Sequence, residues 1–494
     1  MSKNFLNAVK EETNITKTTN GALTHRTSKS YVLDYFAQGS ALRSASKDFK
    51  LELLTKSLGE NELLTMKALF YSRDVRGGQG ERQTFKELIA YLAENHPELV
   101  KANLELIAFF GRWDDLYALF GTRLEKDAIE VMKKQLDEDV NSENPSLLAK
   151  WMHSENASSK QGTILARAFM KAVSWSPRKY RKTLSAIRKT ISLVETKLTE
   201  KEYSAIDYSK LPSKAGIKYR KAFKKNDEER YTEFLEKAVN GEVKVNAATL
   251  FPYDIIGKFF ENSDWGGVKT LPLEETKLLE AAWANLPDYI KNSKKSILPV
   301  IDTSGSMTCD KGWPIKCAIA LGMYCAERNA GPFKNHFLSF NDRTQLIEIT
   351  GKNLNEKVAN IMRAPWGGST NVQSTFDLIL KTAKDNNLSQ EDLPERVAII
   401  SDMQFNCCRN VNQTVFENIK KDFAAAGYTM PKLIFWYVNA EANNIPMTMN
   451  EAGVQLVSGA SPSLFEALLE DEFLGAYELM LKVLSKERYD CIKA

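Results

Sequence analysis

Ile297-Leu298-Pro299-Val300-Ile301-Asp302-Thr303-Ser304-Gly305-Ser306 decides how the carboxyl-terminal part of this chain folds. An unbroken apolar run of this length predicts a strand buried on both faces, as in a parallel sheet. The D-x-S-x-S that follows delivers a carboxylate and two hydroxyls to the strand's carboxyl end, where hard oxygen ligands can collect around Mg²⁺ or another divalent cation. Two further pieces come in order. Trp366-Gly367-Gly368-Ser369-Thr370 brings another hydroxyl, and the apolar run Val397-Ala398-Ile399-Ile400-Ser401 ends on Asp402. Asp302, Ser304, Ser306, Thr370 and Asp402 are thus the candidate metal ligands. The hydroxyls are direct ligands, and the carboxylates act directly or through water, leaving one coordination position open. Gly367 and Gly368 allow the backbone to approach the ion. Any one of these residues also reads as a helix cap or a turn after a strand; the ordered set favours a site.

Around these loops, strands and helices alternate. Strands are predicted at 296–302, 336–340, 345–349, 397–402, 433–438 and 454–457, with helices between them and two more at the end, near 463–470 and 476–484. The pattern predicts a doubly wound, Rossmann-type parallel sheet with ligands at the carboxyl ends of its strands. Three such loops in this order resemble the von Willebrand factor A (vWA) domain and its metal-ion-dependent adhesion site. That resemblance implies that a partner's acidic residue fills the open position on the metal.

Before this comes a different grammar. From Asp48 to Leu286, apolar residues recur at helical spacing, as in Phe85, Leu88, Ile89 and Leu92, which stop at Asn95-His96-Pro97. Successive helical pairs predict a HEAT-like solenoid or ring. The fold class is therefore α plus α/β. The expected division is a loose amino-terminal arm (1–47), a helical-repeat domain (48–290) and the vWA-like domain (296–490), with the composition break at 287–295.

The totals exclude several classes. Of 494 residues, 43% are hydrophobic and 26% charged, with net charge +4, an ordinary globular balance. No run approaches the roughly 18 apolar residues of a membrane span. Six cysteines without a CxxC pair predict reduced thiols and a cytoplasmic protein. Four scattered histidines argue against a zinc site or a triad, so no enzyme is expected.

Charge is concentrated between Lys150 and Lys225. Arg178, Lys179, Arg181, Lys182, Arg188 and Lys189, then Lys214, Lys218, Arg220 and Lys221, outnumber nearby acids, and Tyr180 is interleaved. Cations with stacking faces suit RNA, and these are the candidate RNA-binding residues. The plainer alternative is a solvated helix face. A second marked stretch, Arg73-Asp74-Val75-Arg76-Gly77-Gly78-Gln79-Gly80-Glu81-Arg82, lacks the Lys-Ser/Thr of a phosphate loop. Its glycines predict an interhelical turn, and Arg73, Arg76 and Arg82 are expected to pair with Asp74, Glu81, Asp114 and Asp115, with contact to phosphate as the alternative.

With Gly111-Arg112-Trp113-Asp114-Asp115-Leu116, Tyr208-Ser209-Lys210-Leu211-Pro212-Ser213-Lys214 and Ile399-Ile400-Ser401-Asp402-Met403-Gln404-Phe405, these motifs resemble the Ro ribonucleoprotein (TROVE) family. They are especially similar to a TROVE-related sister family of eukaryotes and large viruses. The resemblance implies a ring of helical repeats closed by a vWA-like module, and a non-catalytic scaffold that binds single-stranded or small structured RNA. An adaptor that captures a partner carboxylate at the metal, without RNA, is the alternative.

Overall fold

A computed structural model describes residues 14–261, 267–291, 293, 295–366, 369–407, 413–442 and 444–494. They separate into two compact units: the chain up to Ala68 with Leu250–Glu487, and Leu69–Thr249 with Arg488–Ala494. The first is α/β and the second is helical.

In the α/β unit, β1 (Ile15–Lys17) and β2 (Leu23–His25) form an antiparallel hairpin. The main sheet comprises β3 (Ile297–Ile301), β4 (His336–Ser339), β5 (Leu346–Glu348), β6 (Arg396–Ser401), β7 (Lys432–Tyr437) and β8 (Val454–Ser458). Their order is β5-β4-β3-β6-β7-β8. All neighbours are parallel except β4 and β5. The expected all-parallel sheet is thus corrected at one edge. The connection after Ser339 is too short for a crossover and can only turn back.

Every residue of β3 and β6 is buried, which explains their continuous apolar runs. β3 pairs with β6 in the register Ile301↔Ile400, so Asp302 and Asp402 leave the sheet from adjoining strands at the same end. The chain moves from β3 to β4 on one side and later to β6 on the other. Such a reversal of strand order opens a crevice at the strands' carboxyl ends.

The expected loose arm is a correction. His25 and Ile445 exchange backbone hydrogen bonds, each 3.0 Å, and the Thr24 hydroxyl donates to Ile445 O at 2.9 Å. The helix Tyr31–Gly39, capped by Ser30, is almost wholly buried, and Ser458 Oγ donates to Phe36 O at 3.2 Å. The segment's polarity satisfies loop-edge backbone groups rather than solvent, so a low apolar content did not mean an unfolded arm. The compact units do not divide at the expected boundary near 290. Lys47–Glu60 and Leu273–Ala284 belong to the α/β unit, where Leu354 N donates to Glu280 at 3.0 Å. Helical periodicity shows that a face is buried, not which core it joins.

The helical unit contains Gln83–Asn95, Glu125–Val140, Lys160–Ala172, Pro177–Thr190, Ser213–Asn226 and Glu228–Val239 among its helices. Phe85, Leu88, Ile89 and Leu92 are buried, and Pro97 opens the next short helix. The glycine-bearing stretch is an interhelical turn. A Cβ at Gly78 would stand 1.9 Å from Tyr71 O, so only glycine fits. Arg73 donates to Asp115 through Nε at 2.8 Å, Arg82 Nε reaches the other Asp115 oxygen at 3.1 Å, and Glu81 accepts from Gln83 N at 2.8 Å. Asp74 accepts from Arg488 Nε at 2.5 Å and from the Tyr489 hydroxyl at 3.1 Å.

Candidate functional site

Beyond β3, the chain turns sharply, and Asp302 organises the turn. Ser304 N donates to Asp302 Oδ1 at 2.8 Å, while Ser401 Oγ donates to Asp302 Oδ2 at 2.5 Å. Ser304 Oγ lies 3.1 Å from Ser306 Oγ, and the Ser306 hydroxyl is hydrogen-bonded to Asp402. Gln404 N donates to the other flank, Asp402 Oδ1, at 3.1 Å. Asp302, Ser304, Ser306 and Asp402 therefore form one connected cluster.

Thr370 approaches from the third loop, with Asn406 N donating to its carbonyl at 2.9 Å. Its hydroxyl accepts from Asn20 Nδ2 at 3.2 Å, and the same amide donates to Gln404 O at 2.5 Å. Thr370 is thus joined to the Asp402 loop through Asn20. Gly367, Gly368 and Cys408 lie outside the described residues, as does the start of the arm, residues 1–13. Two other loop carboxylates of this unit have local partners. Asp342 accepts from Asn371 at 3.0 Å, and Asp310 sits 3.9 Å from Arg43.

Burial governs the electrostatics of this cluster. Burial, then the neighbouring Asp402 carboxylate, push Asp302 up to about 7, against hydrogen bonds from Ser401 and Ser304 that lower it. Asp402 is also raised, mainly by burial and further by Glu441. Two adjoining buried carboxyls disfavour each other's ionised form, and a dication reverses that preference. Thr303 Oγ1 and Ser369 Oγ, in the same loops, are buried without a hydrogen-bond partner among the described residues. Two carboxylates with neutral hydroxyls suit a hard cation such as Mg²⁺. No group of three or more His, Cys, Asp or Glu gathers for a metal among the described residues.

Ser401, Gln404, Glu441 and Asn20 were missed as contributors. Ser401 was legible, since it precedes Asp402 on a strand paired with β3. Asn20 carried no signal, lying hundreds of residues from Thr370 in a polar stretch.

The predicted RNA residues divide. On Pro177–Thr190, Tyr180 is 1% exposed and its hydroxyl donates to His153 O at 2.6 Å. Arg188 donates to Ala149 O at 2.8 Å and Met152 O at 2.9 Å. Both are corrected to internal packing roles: one face of an amphipathic helix has to be buried, and they lie on or beside it. Arg181 pairs with Glu155. Arg178, Lys182 and Lys189 are exposed and share the opposite stripe of the helix. Lys179 lies 4.8 Å from the Trp175 ring centroid. On Ser213–Asn226, Lys214, Lys218 and Lys221 are exposed, whereas Arg220 Nη1 donates to Ile217 O at 2.8 Å. Neither helix contains an acidic residue.

The profile of a family described as Domain of unknown function (DUF2828) matches residues 18–119 and 113–295, more than half of the chain. The chain belongs to this family. A second profile, Domain of unknown function (DUF7788), matches 296–490 of this DUF2828 chain. Uncharacterized protein L728 of Acanthamoeba polyphaga mimivirus is 29% identical over 514 residues, covering 95% of this chain and 87% of that protein. The crystal structure of the Deinococcus radiodurans RO (RSR) protein is similar at a TM-score of 0.37 and 14% identity, covering 92% of this chain and 93% of that one. No helix among the described residues is long and apolar enough to cross a membrane.

Proposed function

We propose that this chain is a non-catalytic binding protein. Its α/β unit, read as vWA-like, holds Mg²⁺ or another divalent cation through Asp302, Ser304, Ser306, Thr370 and Asp402. Its helical unit, read as a HEAT-like solenoid of Ro type, binds RNA, and the protein works in the cytoplasm. One observation carries the metal reading: Asp302 and Asp402 are buried side by side, each pushed toward its protonated form, with Ser304 and Ser306 hydroxyls between them. The cation would neutralise that pair and offer its open position to an acidic group of a partner.

The RNA reading is supported by the acid-free helices Pro177–Thr190 and Ser213–Asn226 and by the motif resemblance to the Ro family. Phosphate contacts then fall on Arg178, Lys182, Lys189, Lys214, Lys218 and Lys221 rather than on Tyr180 or Arg188. An adaptor without RNA is the second reading, favoured by the exposure of Ser306 at the rim.

Calorimetric titration with Mn²⁺ tests the metal. Binding by the native chain and its loss in Asp302→Ala are expected; a native chain that takes up no divalent cation refutes the reading. For RNA, Arg178→Glu with Lys182→Glu should weaken binding and flatten its salt dependence by about one log–log slope unit per lost phosphate contact. Unchanged affinity leaves the adaptor standing.

A further inference from the structure

The β1–β2 turn lies against the candidate metal site. Thr18 Oγ1 donates to Phe405 O at 2.7 Å, Thr19 N to Gln404 Oε1 at 2.7 Å, and Gly21 bridges Asn406. Between them, Asn20 aims its amide at Thr370 Oγ1 and Gln404 O. The fit is close: Gly21 has φ +88°, and a Cβ there would stand 3.1 Å from Cys407 Sγ. Thr19 and Asn20 nevertheless remain exposed.

We infer that this turn is a built-in cap whose Asn20 competes with the cation for the Thr370 hydroxyl. The inference rests on the metal reading above. The conflict is electrostatic. An amide N–H carries partial positive charge, so a donor aimed at Thr370 Oγ1 faces a dication bound to the same oxygen. Filling the site therefore favours a state in which Asn20 has swung away, and the turn's departure uncovers the Thr370 corner to a partner. The remaining hairpin bonds, such as His25 with Ile445, hold the strands while the turn moves.

Mn²⁺ alone is the probe, measured by calorimetry and by the loss of the free-ion paramagnetic signal in the full chain. Asn20→Ala removes both amide contacts and should tighten Mn²⁺ binding roughly 3- to 10-fold, the range of one net hydrogen bond. Gly21→Cys, oxidised onto Cys407 and verified by mass spectrometry, should hold the turn closed and weaken binding, with recovery on reduction. Binding by the native chain that Asn20→Ala leaves unchanged or weaker overturns the cap while sparing the metal site. Failure of the native chain to bind overturns the metal reading and the cap with it. A melting curve for each variant separates misfolding from loss of the site.

Discussion

Replacing Asp115 by alanine should destabilise the helical unit more than any single change to its basic partners. Asp115 is fully buried and accepts from Arg73 Nε at 2.8 Å, Arg73 Nη2 at 2.5 Å, Arg82 Nε at 3.1 Å and the Arg112 backbone N–H at 3.0 Å. Lys86 Nζ lies 3.4 Å away. Burial alone would raise its pKa, yet Arg73 and Lys86 hold it below the ordinary carboxylate range. Arg73, whose side chain is 1% exposed, would lose its ion partner, a situation that costs roughly 3–5 kcal/mol. The reverse deletion is milder. Arg73→Met leaves Asp115 with Arg82, Lys86 and the Arg112 N–H, and should cost about 1–3 kcal/mol, the scale of charged hydrogen bonds. Urea denaturation followed by circular dichroism measures both variants, and hydrogen exchange over residues 69–120 assigns the loss to this unit. Arg73→Met costing as much as Asp115→Ala, or Asp115→Ala costing under about 1 kcal/mol, refutes the reasoning.

Burial raises Asp34 from 3.8 to about 6, against hydrogen bonds from Ser28 and Thr27. A folded pKa above the unfolded one gives stability that is complete below 3.8 and lost as pH rises through about 6, on the order of 3 kcal/mol in full. Asp34→Asn keeps an acceptor for Ser28 N, now at 2.7 Å, so it should remove that decline; urea midpoints at pH 5 and pH 7.5 measure it, and an undiminished decline refutes it. Tyr180→Phe deletes the bond to His153 O and should lower stability by about 1 kcal/mol while leaving RNA affinity unchanged in a filter-binding assay. A large affinity loss in a stably folded variant would restore Tyr180 to the RNA surface.

The main sheet was legible because burial on both faces leaves an unmistakable composition: β3, β6 and β7 read as apolar runs and pair as such. The antiparallel edge was not, since β5 is a short, largely exposed strand whose direction is set by the turn after Ser339. Asp302 and Asp402 were legible because strand pairing aligns the residues that follow each run. Asn20 reaches Thr370 only through a hairpin anchored by backbone bonds, which no side-chain pattern encodes.

The basic residues show where sequence reading of charge stops. Arg73, Arg188 and Lys189 are chemically alike, yet Arg73 is sealed against Asp115, Arg188 feeds backbone carbonyls, and Lys189 faces solvent. What divides them is the phase of each residue relative to the buried stripe of its own helix. Tyr180, Leu184 and Ile187 mark that stripe on Pro177–Thr190. Arg188 follows Ile187 and flanks the stripe, so its guanidinium reaches inward to the carbonyls of Ala149 and Met152. Arg178, Lys182 and Lys189 fall on the far side, about half a turn away. Counting cations overstates an electrostatic surface wherever a helix is amphipathic. Weighting each cation by its angle from the apolar stripe removes Arg188, as burial in the stripe removes Tyr180, and leaves a narrower strip, which is the one that Arg178→Glu with Lys182→Glu would reverse.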